Sequence, residues 1–166
     1  MVRRCLLVVF SVISIAATAR AEVSVEYRAA GGINVDIVLE ATTGGQVEIP
    51  SGTIIATGLE EEQRFLIGQT IERTLRAGER ATVSVQAFCL DLERSAPSAG
   101  SAMHRVGVAT GDLQRLLAVA VQADHGVLQQ AIWALGSRSA APSSEAVALL
   151  RQAGLAPKDQ VPETSE

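Results

Sequence analysis

The apolar residues of this chain change their period once, and that change sets the fold class. From Val23 to about Ala109 they recur at every second position, as in Val23/Val25/Tyr27 and Ile33/Val35/Ile37/Leu39. Alternation of this kind marks strands with one buried face. Turn residues punctuate the runs: Gly31-Gly32, Thr42-Thr43-Gly44-Gly45, Pro50-Ser51-Gly52 and Ala77-Gly78. Strands are therefore expected near 23–27, 33–39, 47–49, 53–57, 80–90 and 103–109, with one or two more within 65–75. Beyond Gly111 the period becomes helical. Three helices are expected: Asp112 to about Ala123, with Asp112 as N-cap; His125 to Leu135, capped by Asp124; and Glu145 to Ala153, capped by Ser143 or Ser144. The predicted fold is α+β, an antiparallel β-sandwich or barrel followed by a small three-helix subdomain. The expected divisions are 22–110 for the β-rich part, 111–155 for the helical part and 156–166 for a loose polar tail with two prolines.

The first 21 residues read as a secretory signal peptide. Arg3 and Arg4 precede the apolar run Cys5–Ala17, and Ala19-Arg20-Ala21 is a small-x-small cleavage site. The expected mature chain starts at Glu22 and is secreted, periplasmic or extracellular. Arg3, Arg4 and Arg20 leave with the signal, so the mature chain is more acidic than the net −4 of the whole sequence. An acidic surface argues against nucleic acid and anionic membranes as partners. No later apolar stretch has the length of a membrane span.

Cys5 also leaves with the signal, which makes Cys89 the single cysteine of the mature chain. Exported cysteines are normally paired as disulfides, so a lone one calls for an explanation. Ala81, Val83, Val85, Ala87 and Cys89 share one strand face, and the simplest reading is a buried thiol filling a core. An intermolecular disulfide is a second reading. A third joins Cys89 to a glutamine side chain as an internal thioester. On the second predicted helix, Leu128, Ile132 and Leu135 form the core stripe. His125, Gln129 and Trp133 form a ridge beside it at i, i+4 and i+8. The plain reading of that helix leaves its glutamines facing water.

Phe88-Cys89-Leu90, followed by Gln129-x-Ala131-Ile132-Trp133, resembles the thioester domains of bacterial cell-surface proteins. Those domains carry an aromatic-Cys-aliphatic motif at a strand end and a Thr-Gln-x-Ala-aliphatic-Trp motif downstream on a helix. The resemblance covers roughly residues 83–135, with Leu128 standing where the family has threonine. It implies that Cys89 and Gln129 are joined as a thioester that captures an amine of a protein or small molecule covalently. Such a chain is a single-use reactive binder and not a turnover enzyme. Apolar neighbours Phe88, Ile132 and Trp133 are expected to shield the bond. Backbone N–H groups near the start of the His125 helix are expected to stabilise the oxyanion. His125 is a possible base, a role assigned here from its position and not from the family. Gln130 is the rival acyl donor, about 100° around the helix from Gln129. The alternative function is structural or non-covalent binding by a secreted β-sandwich with a plain buried cysteine.

Other chemistries find little support. His104 and His125 lack metal-site spacing, and no phosphate or dinucleotide loop is present, so no metal or cofactor is expected. A hydrolase of Ser84, His104 and Asp112 has no nucleophile-elbow motif behind it. Glu60-Glu61-Glu62 reads as a solvated acidic loop.

Overall fold

A computed structural model describes residues 22–136 and 141–156; the expected signal segment, residues 137–140 and nearly all of the expected tail lie outside the described residues. Among the described residues nine strands precede three helices. The strands are β1 (Val23–Gly31), β2 (Asn34–Ala41), β3 (Gly45–Ile49), β4 (Thr53–Ala56), β5 (Phe65–Ile67), β6 (Ile71–Leu75), β7 (Arg80–Gln86), β8 (Phe88–Cys89) and β9 (Ala102–Val108). The helices are α1 (Gly111–Val119), α2 (His125–Gly136) and α3 (Ser144–Gln152). The fold is α+β, as the change of period predicts.

Seven strands form one antiparallel sheet in the order β7-β2-β1-β9-β4-β5-β8, and β3 and β6 pair separately. Strands β7 and β8 stand at opposite ends of that order, yet only Ala87 separates them in the chain. One continuous extended segment therefore bridges both edges, and the sheet is a nearly closed barrel. Ile49, Ile71 and Leu75 of the β3–β6 pair join the same interior as Ile37, Leu39, Ile55 and Phe65.

The β1–β2 hairpin shows why the sequence folds this way locally. Val35, Ile37 and Leu39 are fully buried, while the exposed or half-buried residues between them face outward. Gly31 and Gly32 turn the chain at φ +99 and +59, a region that costs glycine nothing. Each buried aliphatic side chain contributes roughly 1.5–3 kcal/mol.

Alternation fails where both faces are covered. In β5, Phe65 and Ile67 face the barrel interior while Leu66 faces a second core beneath the helices. Phe88 likewise joins the helical core, and Cys89 the interior. That second core also contains Leu116, Leu128, Ile132, Ala146 and Leu150. The helices thus share their core with the outer face of β5 and β8 and place α2 against the end of β8.

Three helix details depart from expectation. Asp112 does not cap α1. Thr110 holds the N-cap position with no side-chain bond, and Asp112 pairs with Arg115 at 2.6 Å in the first turn. Helix α1 also stops at Val119 instead of Ala123: Ala120 leaves helical geometry, and its N–H is shared between the Leu116 and Leu117 carbonyls. The Asp124 carboxylate accepts from the Gly126 N–H at 2.8 Å. Ser143 caps α3 by accepting from the Ala146 N–H. Leu135, expected in the core stripe, is half-buried against the second core, where Ala131 and Ala134 are buried more deeply.

Candidate functional site

Helix α2 lies across the end of β8 so that Gln129 meets Cys89. The Gln129 carboxamide is buried, at 8 % exposure, and does not face water. The Cys89 N–H donates to Gln129 Oε1 at 2.8 Å, and Gln129 Nε2 donates to the Cys89 carbonyl at 2.8 Å. The strand geometry explains the pair. The Leu90 N–H donates to the Arg64 carbonyl on the β5 side. Peptide groups alternate along a strand, so those of Cys89 point the other way, past the end of β2. The side-chain amide of Gln129 stands there in place of a neighbouring strand. It satisfies a buried edge that would otherwise carry two unpaired backbone groups.

The rival glutamine points elsewhere. Gln130 Oε1 accepts from the Ser143 N–H at 2.9 Å and ties α2 to the cap of α3. Two of the anticipated oxyanion donors at the start of α2 are engaged elsewhere. The Gly126 N–H is spent on Asp124, and the Leu128 N–H bonds the Asp124 carbonyl. The donor on Oε1 is the backbone N–H of Cys89 itself. Side-chain motifs could not reveal it, because it depends on which edge of β8 remains unpaired.

Around this contact, Phe88 and His125 stack with ring centroids 4.3 Å apart and planes 16° from parallel. His125 Nε2 is buried without a hydrogen-bond partner, as is Trp133 Nε1. Trp133 packs against the barrel interior, on the Cys89 side of the strand, and Phe88 covers the other side. The Cys89 thiol is free and buried. Burial pushes its pKa up, and the nearby Asp91 carboxylate adds to the rise, so the protonated form dominates.

Asp91 holds the chain after Cys89 in place. Its carboxylate accepts from Arg64 Nε at 3.0 Å, from Arg64 Nη2 at 2.7 Å and from the Arg64 backbone N–H at 3.0 Å. Burial alone would raise the Asp91 pKa. The hydrogen bonds and charge of Arg64, with Arg94 behind, outweigh it and hold the carboxyl below its ordinary 3.8. A depressed carboxyl stabilises the fold above its unfolded pKa and loses that contribution as pH falls through its folded pKa. Asp91→Asn is expected to lower stability by about 1–2 kcal/mol at neutral pH. That difference should shrink towards zero in urea titrations carried below the ordinary aspartate range; a constant difference would show that the charge is irrelevant.

The remaining sequence candidates are dispersed. The Ser84 hydroxyl donates to Asp36, Asp112 pairs with Arg115, and His104 sits on β9 against Gly58, so these bonds assemble no triad. In the acidic loop, Glu62 accepts from the Thr57 hydroxyl. Among the described residues no three His, Cys, Asp or Glu side chains converge to hold a metal ion, and no helix is long and apolar enough to cross a membrane. Comparison of the chain with known protein families, with curated proteins and with solved structures finds no match.

Proposed function

We propose that this chain forms an internal thioester between Cys89 and Gln129 and uses it once, to attach covalently to an amine of a protein or small molecule. The observation that carries the reading is the 2.8 Å hydrogen bond from the Cys89 N–H to Gln129 Oε1. It holds the carboxamide close to the Cys89 backbone, from which the thiol branches. It also puts a preorganised donor on the oxygen that becomes negative when sulfur attacks, at the separation an oxyanion donor needs.

In the first step Cys89 Sγ bonds to Gln129 Cδ, the C–N bond breaks, and the thiol proton leaves on ammonia. In the second an incoming amine attacks Cδ, the C–S bond breaks, and an amine proton returns to sulfur. The product is a substituted Gln129 amide and a free thiol. Trp133 and Phe88 shield the bond from water. His125 accepts the proton of the incoming amine, one helical turn before Gln129 with Nε2 unpartnered.

The same two hydrogen bonds also favour a second reading, in which Gln129 only closes the open edge of β8 and Cys89 packs the interior. Intact mass of freshly purified mature protein, before and after methylamine, separates the two. The thioester reading expects a mass short by one ammonia. Methylamine then adds in full and frees one titratable thiol, and Cys89→Ala abolishes the uptake. An unmodified mass with no uptake leaves the edge-closing reading. His125→Ala is expected to slow uptake roughly 100-fold; an unchanged rate removes His125 from the proposal.

A further inference from the structure

The barrel does not close along its whole length, and the gap is a cleft of about 1170 Å³. Closure rests on the register pairs Phe65↔Cys89 and Leu66↔Phe88 and on the Leu90 N–H bond to the Arg64 carbonyl. Extending that register would put Gly68 opposite Gln86 and Thr70 opposite Ser84. Instead the two segments separate, and all four residues line the cleft. The Ser51 hydroxyl donates to the Gly68 carbonyl, and Thr70 Oγ1 accepts from the Ser51 N–H, which draws the Gly68–Thr70 side away from β7.

The β7 side is left as an open strand edge. The Ala87 N–H donates to the Ile33 carbonyl of the chain entering β2. By alternation, Val85 and Val83 also point their peptide groups to β2, while Gln86, Ser84 and Thr82 point theirs into the gap. Among the described residues no strand pairs with β7 on that side. Usual protections of an edge are absent along Thr82–Gln86: no proline, no lysine and no bulge.

The chemistry of the walls narrows the occupant. Among the described residues that line the cleft none is Asp, Glu, Lys or Arg, although such residues make up 19 % of the chain. The lining offers neutral hydroxyl and amide groups with an apolar wall that includes Leu117 of α1 and Val121 of the turn after it. His125 stands at the α2 end with its Nε2 unpartnered. A charged ligand would lose hydration there without gaining a counter-charge. An extended backbone would find free donors and acceptors along β7 and shallow apolar seats for alternate side chains.

We infer that the seam between β7 and the Gly68–Thr70 segment is a docking site for an extended, uncharged polypeptide segment of a partner, added as a strand to β7. The inference goes beyond the thioester reading and does not depend on it, although a docked segment would end beside Phe88 and Cys89.

The test uses the full mature chain carrying Cys89→Ala, which removes thioester chemistry. The probes are capped synthetic peptides of Thr, Val, Ser and Asn, titrated by calorimetry and by amide chemical shifts, beside versions with two Val replaced by Glu or by Lys. The neutral probe is expected to bind, to shift the Ser84 and Gln86 amides, and to bind at least about tenfold more tightly than either charged version. Gln86→Pro removes one N–H facing the seam and spares the ladder to β2; it should weaken binding roughly tenfold. Gln69→Arg with Gln114→Arg, both at exposed positions, gives a second loss that does not depend on strand geometry. Equal binding of neutral and charged probes, no binding of the neutral probe, or wild-type affinity in both variants would overturn the inference. So would a concentration-dependent dimer abolished by Gln86→Pro, which would make a second copy the occupant.

Discussion

Gln129→Leu is expected to lower stability by about 3 kcal/mol. Leucine keeps much of the volume and loses both hydrogen bonds. The N–H and carbonyl of Cys89 are then buried without partners, at about 1–3 kcal/mol each, partly offset by the added apolar surface. Cys89→Ala is the informative companion. Both bonds run to the backbone of Cys89, so alanine preserves them and costs only the packing of one sulfur, about 1 kcal/mol. If the side chains are instead joined, both substitutions remove a cross-link spanning 40 residues, worth roughly 4 kcal/mol by loop-closure entropy, and their costs converge. Urea unfolding of the two variants measures the gap. A Gln129→Leu cost below about 1 kcal/mol would mean that water replaces the carboxamide and that the contact is not closed.

Gln129→Glu sharpens the point through pH. A neutral carboxyl can still accept from the Cys89 N–H and donate to the Cys89 carbonyl, while a carboxylate faces that carbonyl with no proton between them. The introduced group is therefore expected to have a raised folded pKa. Its stabilising contribution is present below the unfolded pKa and disappears as pH rises through the folded one. This variant should approach wild-type stability in acid and diverge towards neutrality, opposite in sense to Asp91.

The second large effect is expected at Gly68. A Cβ there would overlap Phe88 Cε2 and lie 3.1 Å from Cδ2. The φ of Gly68 is not positive, so the cost is steric and not a matter of backbone strain. Phe88 is 7 % exposed and has His125 stacked on it, which leaves its ring little room to retreat. Gly68→Ala should cost about 3 kcal/mol, the upper end for overpacking. Combining it with Phe88→Leu should recover part of that loss, because the smaller side chain yields the space. A cost for the double variant below the sum of the two singles is the expected sign of direct contact. Strict additivity would place the strain elsewhere. Near-ultraviolet circular dichroism, which follows the ring environments, would report the displaced stack.

Local chemistry made much of this architecture legible. The period-two runs mark the long strands because one face of β1, β2 and β7 meets water. Asp124 and Ser143 mark helix starts because a short side-chain acceptor satisfies an N–H that the helix cannot. Gly31-Gly32 marks the hairpin because the turn needs positive φ. The period change near Gly111 places the helices after the sheet. The short β5 was harder to delimit, since Phe65-Leu66-Ile67 is buried on both faces and does not alternate. The end of α1 has no such mark: the helix stops at Ala120, whose N–H is shared between the Leu116 and Leu117 carbonyls, and no glycine or proline between 119 and 123 announces it.

What needed three dimensions is the relation between elements far apart in the chain. Cys89 and Gln129 stand out in the sequence as residue types, yet their contact runs through the backbone of Cys89 and not through a side-chain motif. It exists because β8 pairs with β5 on one edge and runs past the end of β2 on the other. Strand order has no local signature: any edge of correct polarity can accept any other, and the choice is made by how the whole set of apolar faces packs. The seam has the same origin. Residues 80–89 look like one uniform strand, and only the pairing of both its ends shows that it closes a barrel at Phe88 and leaves it open at Gln86. Periodicity and capping act within a few residues and can be read along the chain; edge pairing and closure are won by long-range burial and appear only in the folded molecule.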